Sequence, residues 1–599
     1  MSRTPHDTSQ NAVEQISRSY DLVWLAGCAA ITALAAVLRF YDLALKPLHH
    51  DEGVNGFFLT TLFRDGIYKY DPANYHGPTL YYIALAFAKV FGLETVPIRA
   101  SVAIFGVLTV VLAFYLRKYI GSAGSLVAGL LLAISPGMVF ISRYFIHEIL
   151  FVFLSLAIVV SMLFFVEKRK AGPAAVAWIV IILLVCFLPS TLNLASLLAG
   201  GSSGYLWPLR GVFFLIEAAL VFLVTRMLLS WEGGSPIYFI LASASIALLF
   251  ATKETAFITI GVMAAACFCV WAWRRIYAGK EGSEDDLAEG ELNWRSFSAA
   301  LGTSADRLLI LVAAAAAFIY LIVLFFSSFF TYPDGVKAAY EAYALWTRTG
   351  SKDHTQNGMW AYFIWGWKIE APILILSAIG FIVALAKPRH RFALFAGSWA
   401  VGILAAYTII PYKTPWLALS FLLPMCITAG YGINELARSK HWAAKAAAIL
   451  LVSVAAVVML YQTYQLNFVR YDDDKMPYVY AHTRRGFHDL MHQVEKYADK
   501  SGKGKDAVIQ IVSPDYWPMV WYLKDYSHAN FHGHTVEADQ AEMIIAKKDD
   551  QDDEVIRRYS AGYAYAGTYP LRPGVDMILL VRKDMAEPDA EELYHIRGH

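Results

Sequence analysis

The chain has 599 residues, of which 57% are hydrophobic, 15% are aromatic and only 17% are charged. A soluble protein carries about a quarter charged residues, so this composition excludes an ordinary water-soluble enzyme. The formal net charge of +1, without a long basic tract, argues against nucleic acid as a partner. The five cysteines all lie in apolar stretches, which excludes a disulfide framework.

Thirteen apolar stretches between residues 22 and 461 predict membrane-spanning helices. Each has about 17 to 23 residues, enough to cross a hydrocarbon core of roughly 30 Å. They are 22–40, 97–116, 122–141, 149–166, 174–190, 209–228, 236–252, 256–273, 308–330, 371–386, 392–410, 416–432 and 442–461.

Basic clusters in alternate turns predict the orientation of these spans. Under the positive-inside rule, the turns that carry Arg117-Lys118, residues 168–170 and residues 387–391 are cytoplasmic. The N-terminus is then cytoplasmic as well. We therefore predict an α-helical polytopic protein of the cell inner (plasma) membrane. Its transmembrane domain covers 1–461 with external loops at 41–96 and 331–370, and an extracytoplasmic domain covers 462–599.

The first external loop contains the densest group of ionisable residues in this part of the chain. The segment "PLHHDEGVNG" (47–56) places His49, His50, Asp51 and Glu52 in a row, a few residues after the first span. The following stretch "GPTLYYIALAFAKVFG" (77–92) is too short to span comfortably. It predicts a helix that lies along the membrane surface.

Three further turns on the predicted external side carry isolated cations. They read "SRYFIHE" (142–148), "TKET" (252–255) and "PYKTPW" (411–416). Their cations are Arg143, Lys253 and Lys413. A lone cation on this side can snorkel to lipid head groups. Three of them on the face that carries Asp51 and Glu148 favour a functional site instead.

The residue types on this face suit the transfer of a sugar from a polyprenyl phosphate to a hydroxyl group. Asp51 and Glu52 are the catalytic candidates, since a carboxylate can accept the proton of a hydroxyl. Fixed cations can hold a leaving phosphate, which assigns the donor phosphate to Arg143, Lys253 and Lys413. Supporting candidates that surround them are His50, His76, Tyr82, His147, Glu148, Glu254 and Tyr412.

The motifs "HHDEG", "HGPTLYYIALAFAKVFG" and "ISPGMVFISRYFIHE", in this order, resemble the C-type membrane glycosyltransferases. The likeness is to the protein O-mannosyltransferases and the lipid A aminoarabinose transferase. The whole chain, with "YVYAHTRRG" (478–486) and "SPDYWPMVWYLKDY" (513–526), is most similar to a bacterial and archaeal family named for its association with flippase activity.

This resemblance implies roles for particular residues. Asp51 corresponds to the catalytic base, and Glu52 is its neighbour in an Asp-Glu pair. Arg143 and Glu148 match the basic and acidic positions after the third span. The relatives usually carry Asp where this chain has Glu148, which changes the reach of that carboxylate by about one methylene.

Histidines on the same face raise the question of a metal. His49, His50, His76 and His147 are ligand types that zinc accepts, but their spacing follows no ligand motif. Hydrogen bonding explains them better. A divalent metal therefore stays open, and no other cofactor is predicted.

The segment after residue 462 predicts a small α/β domain with a partly parallel sheet. Strands are predicted at 507–513, 541–548 and 576–584, and helices at 484–499 and 516–526. "SPDYWP" lies at the carboxyl end of the first strand, where open sheets usually bind ligands. The acidic stretch "EGSEDDLAEGE" within the loop 274–306 is predicted to be a solvated linker.

These patterns predict a membrane glycosyltransferase that is surrounded by membrane lipid. It uses a polyprenyl-phosphate-linked sugar at the external face of the membrane. The acceptor is a glycan, a lipid or a protein, and single displacement inverts the anomeric centre. The alternative is a lipid-glycan flippase or its accessory protein, and a second is a glycan receptor with a silent site. Charges clustered at one face, rather than across the bilayer, favour the enzyme.

Overall fold

The computed structural model describes residues 5–74, 76–277, 293–349, 358–537, 540–588 and 590–598. Within these ranges, 11 helices are long and apolar enough to cross a membrane, and two bent pairs of helices raise the number to 13. The predicted polytopic helical architecture is therefore confirmed. The single spans are Asp21–Phe40, Thr95–Phe114, Glu148–Val166, Pro173–Ala199, Ser203–Ser230, Glu232–Phe250, Ala256–Tyr277, Ser304–Phe326, Arg391–Ile409, Pro415–Arg438 and Trp442–Val469.

The two bent pairs break at defined residues. Ser122–Ile134 meets Pro136–Ser142 at 58°, and Ala361–Ile369 meets Ala371–Ala386 at 106°. Proline lacks the amide hydrogen that a continuing helix would need, so it favours a new helix start. The buried Glu370, between the second pair, accepts hydrogen bonds from the Ser135 hydroxyl and the Gly137 amide, each at 2.8 Å. The Glu370 carboxylate therefore links the two bent regions through hydrogen bonds.

The segment between the first two spans folds into two helices, His50–Asp65 and Thr79–Phe91. The first begins in a capping box: the His49 ring accepts from the Asp51 amide, and the Glu52 carboxylate accepts from the His49 amide. It ends at Gly66, whose φ of 74° suits glycine. The second helix has only 13 residues and is an apolar helix below spanning length.

The C-terminal segment forms a five-stranded mixed sheet. The strands are β1 (Ile509–Ile511), β2 (Ala529–Phe531), β3 (Met543–Lys547), β4 (Tyr563–Arg572) and β5 (Val575–Arg582), in the order β2-β1-β3-β5-β4. Strand β1 runs parallel to β2 and β3, whereas β5 is antiparallel to β3 and β4. The predicted partly parallel sheet is confirmed, although β2 and β4 were not predicted.

Three α-helices accompany the sheet in the C-terminal domain. The domain contains Phe487–Lys500, Met519–Tyr522 and Asp552–Tyr559. The helix predicted at 516–526 is therefore a single turn. The last span continues to Val469, so the change in architecture follows residue 462 by several residues. The predicted loop 331–370 contains the helix Asp334–Thr349. The whole acidic stretch 281–291 lies outside the described residues.

Candidate active site

A cavity of about 250 Å³ lies where the helix His50–Asp65 meets the ends of several spans. The predicted candidates that line it are His50, Asp51, His76, His147, Glu148, Lys253, Glu254 and Tyr412. Further lining side chains that sequence reasoning did not select include Asn55, Asn74, Thr255, Trp346 and Tyr407. The turns "FIHE", "TKET" and "PYKTPW" thus converge, with "HHDEG", at one end of the helical bundle.

Asp51 is the accessible carboxylate of the Asp-Glu pair. It lies in the first turn of its helix, and its side chain is 43% exposed. The positive end of the helix dipole stabilises a negative charge there. Asn55, one helical turn later, lines the same cavity and is held by hydrogen bonds to the Phe145 carbonyl and the Tyr81 hydroxyl, each at 2.9 Å.

Glu52 faces away from the cavity and is completely buried against Arg99. Its Oε2 lies 2.6 Å from Arg99 Nη2, and its Oε1 accepts from Arg99 Nε and from the Phe145 amide, each at 2.8 Å. Burial alone would raise the pKa of Glu52, but the charge and hydrogen bonds of Arg99 lower it below its usual value. An ionised carboxylate with all its acceptor positions used is a structural anchor.

Lys253 is the cation of the cavity. Its ammonium pairs with Glu148, and the neighbouring Glu254 lies 3.1 Å from His76 Nδ1. Burial alone would lower the pKa of Lys253, but Glu148 and Glu254 raise it above its usual range. The lysine therefore stays charged although its side chain is buried.

The His147 side chain lines the same cavity, and its ring is neutral. Its Nε2 lies 3.1 Å from the Gly77 carbonyl, and its ring centroid is 4.9 Å from that of His76. Burial, reinforced by His76 and Lys253, holds the pKa of His147 well below its usual value. In the neutral ring, Nε2–H donates to Gly77 and Nδ1 keeps a free lone pair.

Two hydroxyl groups beside Lys253 are buried without a standard hydrogen bond. Tyr407 is 1% exposed and Thr255 is 3% exposed, and both line the cavity. Among the described residues, neither hydroxyl makes a hydrogen bond of ordinary length and angle, and the Tyr407 hydroxyl interacts only weakly with the hydroxyls of Thr255 and Ser420. A buried polar atom without a partner costs free energy, so these hydroxyls mark a place where a polar ligand group or water belongs.

The remaining predicted candidates lie outside the cavity lining and contact mainly the backbone or aromatic rings. Arg143 donates to the carbonyls of the first span's end, including Asp42 at 2.7 Å, and burial lowers its pKa to about 10. Lys413 donates to the carbonyls of Tyr407 at 2.7 Å and Thr408 at 3.0 Å, at the end of Arg391–Ile409. Tyr82 donates to the Ser328 hydroxyl at 2.9 Å.

The histidines of this region raise the question of a metal centre. Among the described residues, no group of three or more His, Cys, Asp or Glu side chains is arranged to hold a metal ion. His49 and His147 instead contact backbone carbonyls, and His76 contacts the Glu254 carboxylate.

Part of the chain matches one protein family, and solved structures resemble nearly its whole length. Residues 75–199 match a family model described as dolichyl-phosphate-mannose-protein mannosyltransferase. The structure of apo ArnT from Cupriavidus metallidurans is similar with a TM-score of 0.55 and 13% identity, over 96% of this chain and 100% of that chain. ArnT bound to undecaprenyl phosphate gives a TM-score of 0.52 and 13% identity, over 94% and 99% of the two chains.

The apo oligosaccharyltransferase of Archaeoglobus fulgidus gives a TM-score of 0.46 and 14% identity, over 96% of this chain and 77% of that chain. No curated protein sequence matches the chain significantly. The likeness to ArnT extends over nearly the whole length of both chains. The chain therefore has the predicted C-type membrane glycosyltransferase fold.

Proposed function

We propose that this chain, a multi-span membrane protein with the C-type glycosyltransferase fold, transfers a sugar from a polyprenyl-phosphate donor to a hydroxyl acceptor. The observation that carries the proposal is that the accessible carboxylate of Asp51 and the charged ammonium of Lys253 line one cavity. The family match to a dolichyl-phosphate-mannose enzyme and the likeness to ArnT bound to undecaprenyl phosphate support this donor class.

The donor phosphate is assigned to Lys253 together with the hydroxyls of Tyr407 and Thr255. An ammonium and two buried O–H donors that lack a well-formed hydrogen bond can satisfy phosphate oxygens that carry the growing negative charge of a leaving group. Arg143 and Lys413 were predicted to share this role. We assign them instead to positioning, because the terminal nitrogens of Arg143 and the ammonium of Lys413 already donate to backbone carbonyls.

The reaction is a single displacement. The acceptor oxygen forms a bond to C1 of the sugar while its proton passes to the Asp51 carboxylate. The bond between C1 and the phosphate oxygen breaks, and its electron pair leaves with the polyprenyl phosphate beside Lys253. Attack from the side opposite the leaving group inverts the anomeric centre. Glu52 contributes by fixing the helix that carries Asp51.

The basic clusters in the turns between spans predict which side of the membrane the site faces. The site and the C-terminal domain face the outside of the plasma membrane, and the N-terminus faces the cytoplasm, because the basic clusters lie at the opposite ends of the spans. Fusions of a reporter enzyme after residue 599 and at residue 285 should report opposite sides.

Turnover of a defined donor tests the proposal. Purified protein in lipid nanodiscs is incubated with radiolabelled polyprenyl-phosphate sugars, and release of polyprenyl phosphate is measured with and without added acceptors. Wild-type protein should consume at least one donor, and the Asp51→Asn variant should consume it far more slowly. Equal consumption by the two proteins would exclude Asp51 as the base. A wild-type protein that consumes none of the donors would overturn the enzyme proposal and favour the flippase-accessory alternative.

A further inference from the structure

The C-terminal domain packs directly against the helix that carries Asp51. A Cβ atom on Gly53 would come within 2.7 Å of Pro518, and one on Gly56 would come within 2.6 Å of Trp521. The Leu48 amide donates to the Tyr522 hydroxyl at 2.9 Å. The absence of side chains at two positions on one helical face thus allows this close approach.

Beside this contact lies a set of residues drawn from both domains, which we call the interdomain patch. It consists of His50, Phe57, Asp515, Trp517 and Arg572. Trp517 lies 6.2 Å from the ring of His50 and 6.2 Å from the ring of Phe57, measured between centroids. Phe57 is 46% exposed, and Trp517 is partly exposed. Because His50 also lines the cavity, the patch borders the site at Asp51.

The polar members of the patch form a connected network. Arg572 donates to Asp515, and its other terminal nitrogen lies 3.4 Å from His50 Nδ1. Burial lowers the pKa of His50, so the ring accepts at Nδ1 and carries its proton on Nε2. Lys547, at the end of β3, lies 3.0 Å from Asp515 and 2.5 Å from Asp550. The charges of this network balance one another.

The position of the patch in the sheet is one where ligands are commonly bound. Asp515 and Trp517 follow β1, and Lys547 ends β3, so they lie at the carboxyl ends of two parallel strands. This edge of the sheet faces the first turn of the helix His50–Asp65. This edge of the sheet and the cavity that Asp51 lines therefore meet at His50 and Asp51.

We propose that the interdomain patch binds sugar rings of a glycan acceptor and presents a hydroxyl group to Asp51. Flat faces of Trp517 and Phe57 suit the apolar faces of sugar rings, and the planar Arg572 and Asp515 groups suit paired hydroxyls. A network without excess charge suits a neutral, hydroxyl-rich ligand better than an anion. This inference rests on the proposed transferase function and names its acceptor class.

Binding to defined glycans tests this proposal separately from the donor chemistry. Labelled protein in nanodiscs is applied to an array of neutral and acidic oligosaccharides and, in parallel, to peptides and to lipid vesicles without glycans. Undecaprenyl phosphate binding is measured on the same samples. The variants are Trp517→Ala, Trp517→Phe and Arg572→Gln, with Trp367→Ala as control, since Trp367 is 64% exposed and lies outside the patch.

Wild-type protein should bind at least one neutral oligosaccharide class, and Trp517→Ala and Arg572→Gln should weaken this binding about tenfold or more. Trp517→Phe should retain part of it, because a smaller ring remains. Binding of peptides or vesicles alone would overturn the proposal, and so would glycan binding that survives both patch substitutions. If undecaprenyl phosphate binds but glycans do not, the acceptor inference fails and the donor proposal stands. Glycan binding without undecaprenyl phosphate binding would overturn the transferase proposal instead.

Discussion

Arg99 and Glu52 form an ion pair whose two side chains are both 0% exposed, with Nη2 and Oε2 2.6 Å apart. Arg99 also donates to the carbonyls of Leu43, Lys46 and Pro47, which precede the helix of Asp51. The pair therefore connects the second span, the loop 43–47 and the helix that carries Asp51. We expect Glu52 to influence the proposed reaction only through the position of its neighbour.

Glu52→Gln should destabilise the protein strongly. The substitution leaves the Arg99 guanidinium buried without its counter-charge, which typically costs about 3–5 kcal/mol. The thermal unfolding midpoint in detergent measures the effect. The control is Glu554→Gln, which removes the acid of an ion pair whose side chains are each 41% exposed. An equal midpoint for wild type and Glu52→Gln would contradict the anchoring role.

Asp51→Asn should behave differently, because Asp51 is accessible and is the proposed general base. General-base assistance is worth about 10²–10⁴ in rate, so transfer should fall by that factor while the fold and polyprenyl-phosphate binding are retained. Asp65→Asn is the matched control, since this exposed carboxylate ends the same helix. A single-turnover assay with labelled donor distinguishes the two variants. Comparable rates for both would exclude Asp51 as the base.

His147 should make the protein sensitive to mild acid. Because its folded-state pKa lies well below the ordinary histidine value of 6.5, the neutral ring stabilises the fold above that value. The stabilisation falls as the pH drops from 6.5 towards the folded-state pKa, by up to about 1.4 kcal/mol per pH unit for one proton. Unfolding midpoints between pH 7.5 and 5.5 should decline less steeply for His147→Gln. A slope equal to that of wild type would contradict this prediction.

The sequence pointed to the centre of this site but not to all its members. Asp51, Lys253 and Glu148 stand out because a charge next to an apolar span is costly unless it has a function or a partner. Arg143 and Lys413 satisfy the same criterion, yet they bind carbonyls at helix ends. Every helix offers such carbonyls, so charge and position alone do not distinguish a helix cap from a ligand contact.

Some members of the candidate site and one strand become evident only from the tertiary structure. Tyr407 and Thr255 are ordinary residues at span ends, and only the folded structure shows that their hydroxyls line the cavity without a well-formed hydrogen bond. In the C-terminal domain, β2 has three residues and partly exposed positions, so its apolar signal is too weak to identify. Asn55 was within reach of sequence reasoning, because it follows Asp51 by four residues and therefore lies on the same helical face.

Tyr407→Phe should weaken binding of the donor phosphate. A hydrogen bond to a charged group contributes about 1.5–3 kcal/mol, which corresponds to a loss of about ten- to a hundredfold in affinity. Tyr362→Phe is the control, because its ring lies 6.3 Å from that of Tyr407 while its hydroxyl already donates to the Thr414 carbonyl. Titration with undecaprenyl phosphate provides the measurement. Equal affinity for Tyr407→Phe and wild type would remove Tyr407 from the phosphate site.

The pair of Lys253 and Glu148 allows the role of a buried cation in stability to be separated from its role in binding. Lys253→Gln alone should lower both stability and phosphate affinity, since it leaves the buried Glu148 carboxylate without its partner. Adding Glu148→Gln removes that unpaired charge, so the double variant should recover much of the unfolding midpoint. Phosphate affinity should stay low in the double variant, because the ammonium is still missing. Recovery of undecaprenyl phosphate binding together with stability would show that Lys253 is only a structural partner of Glu148.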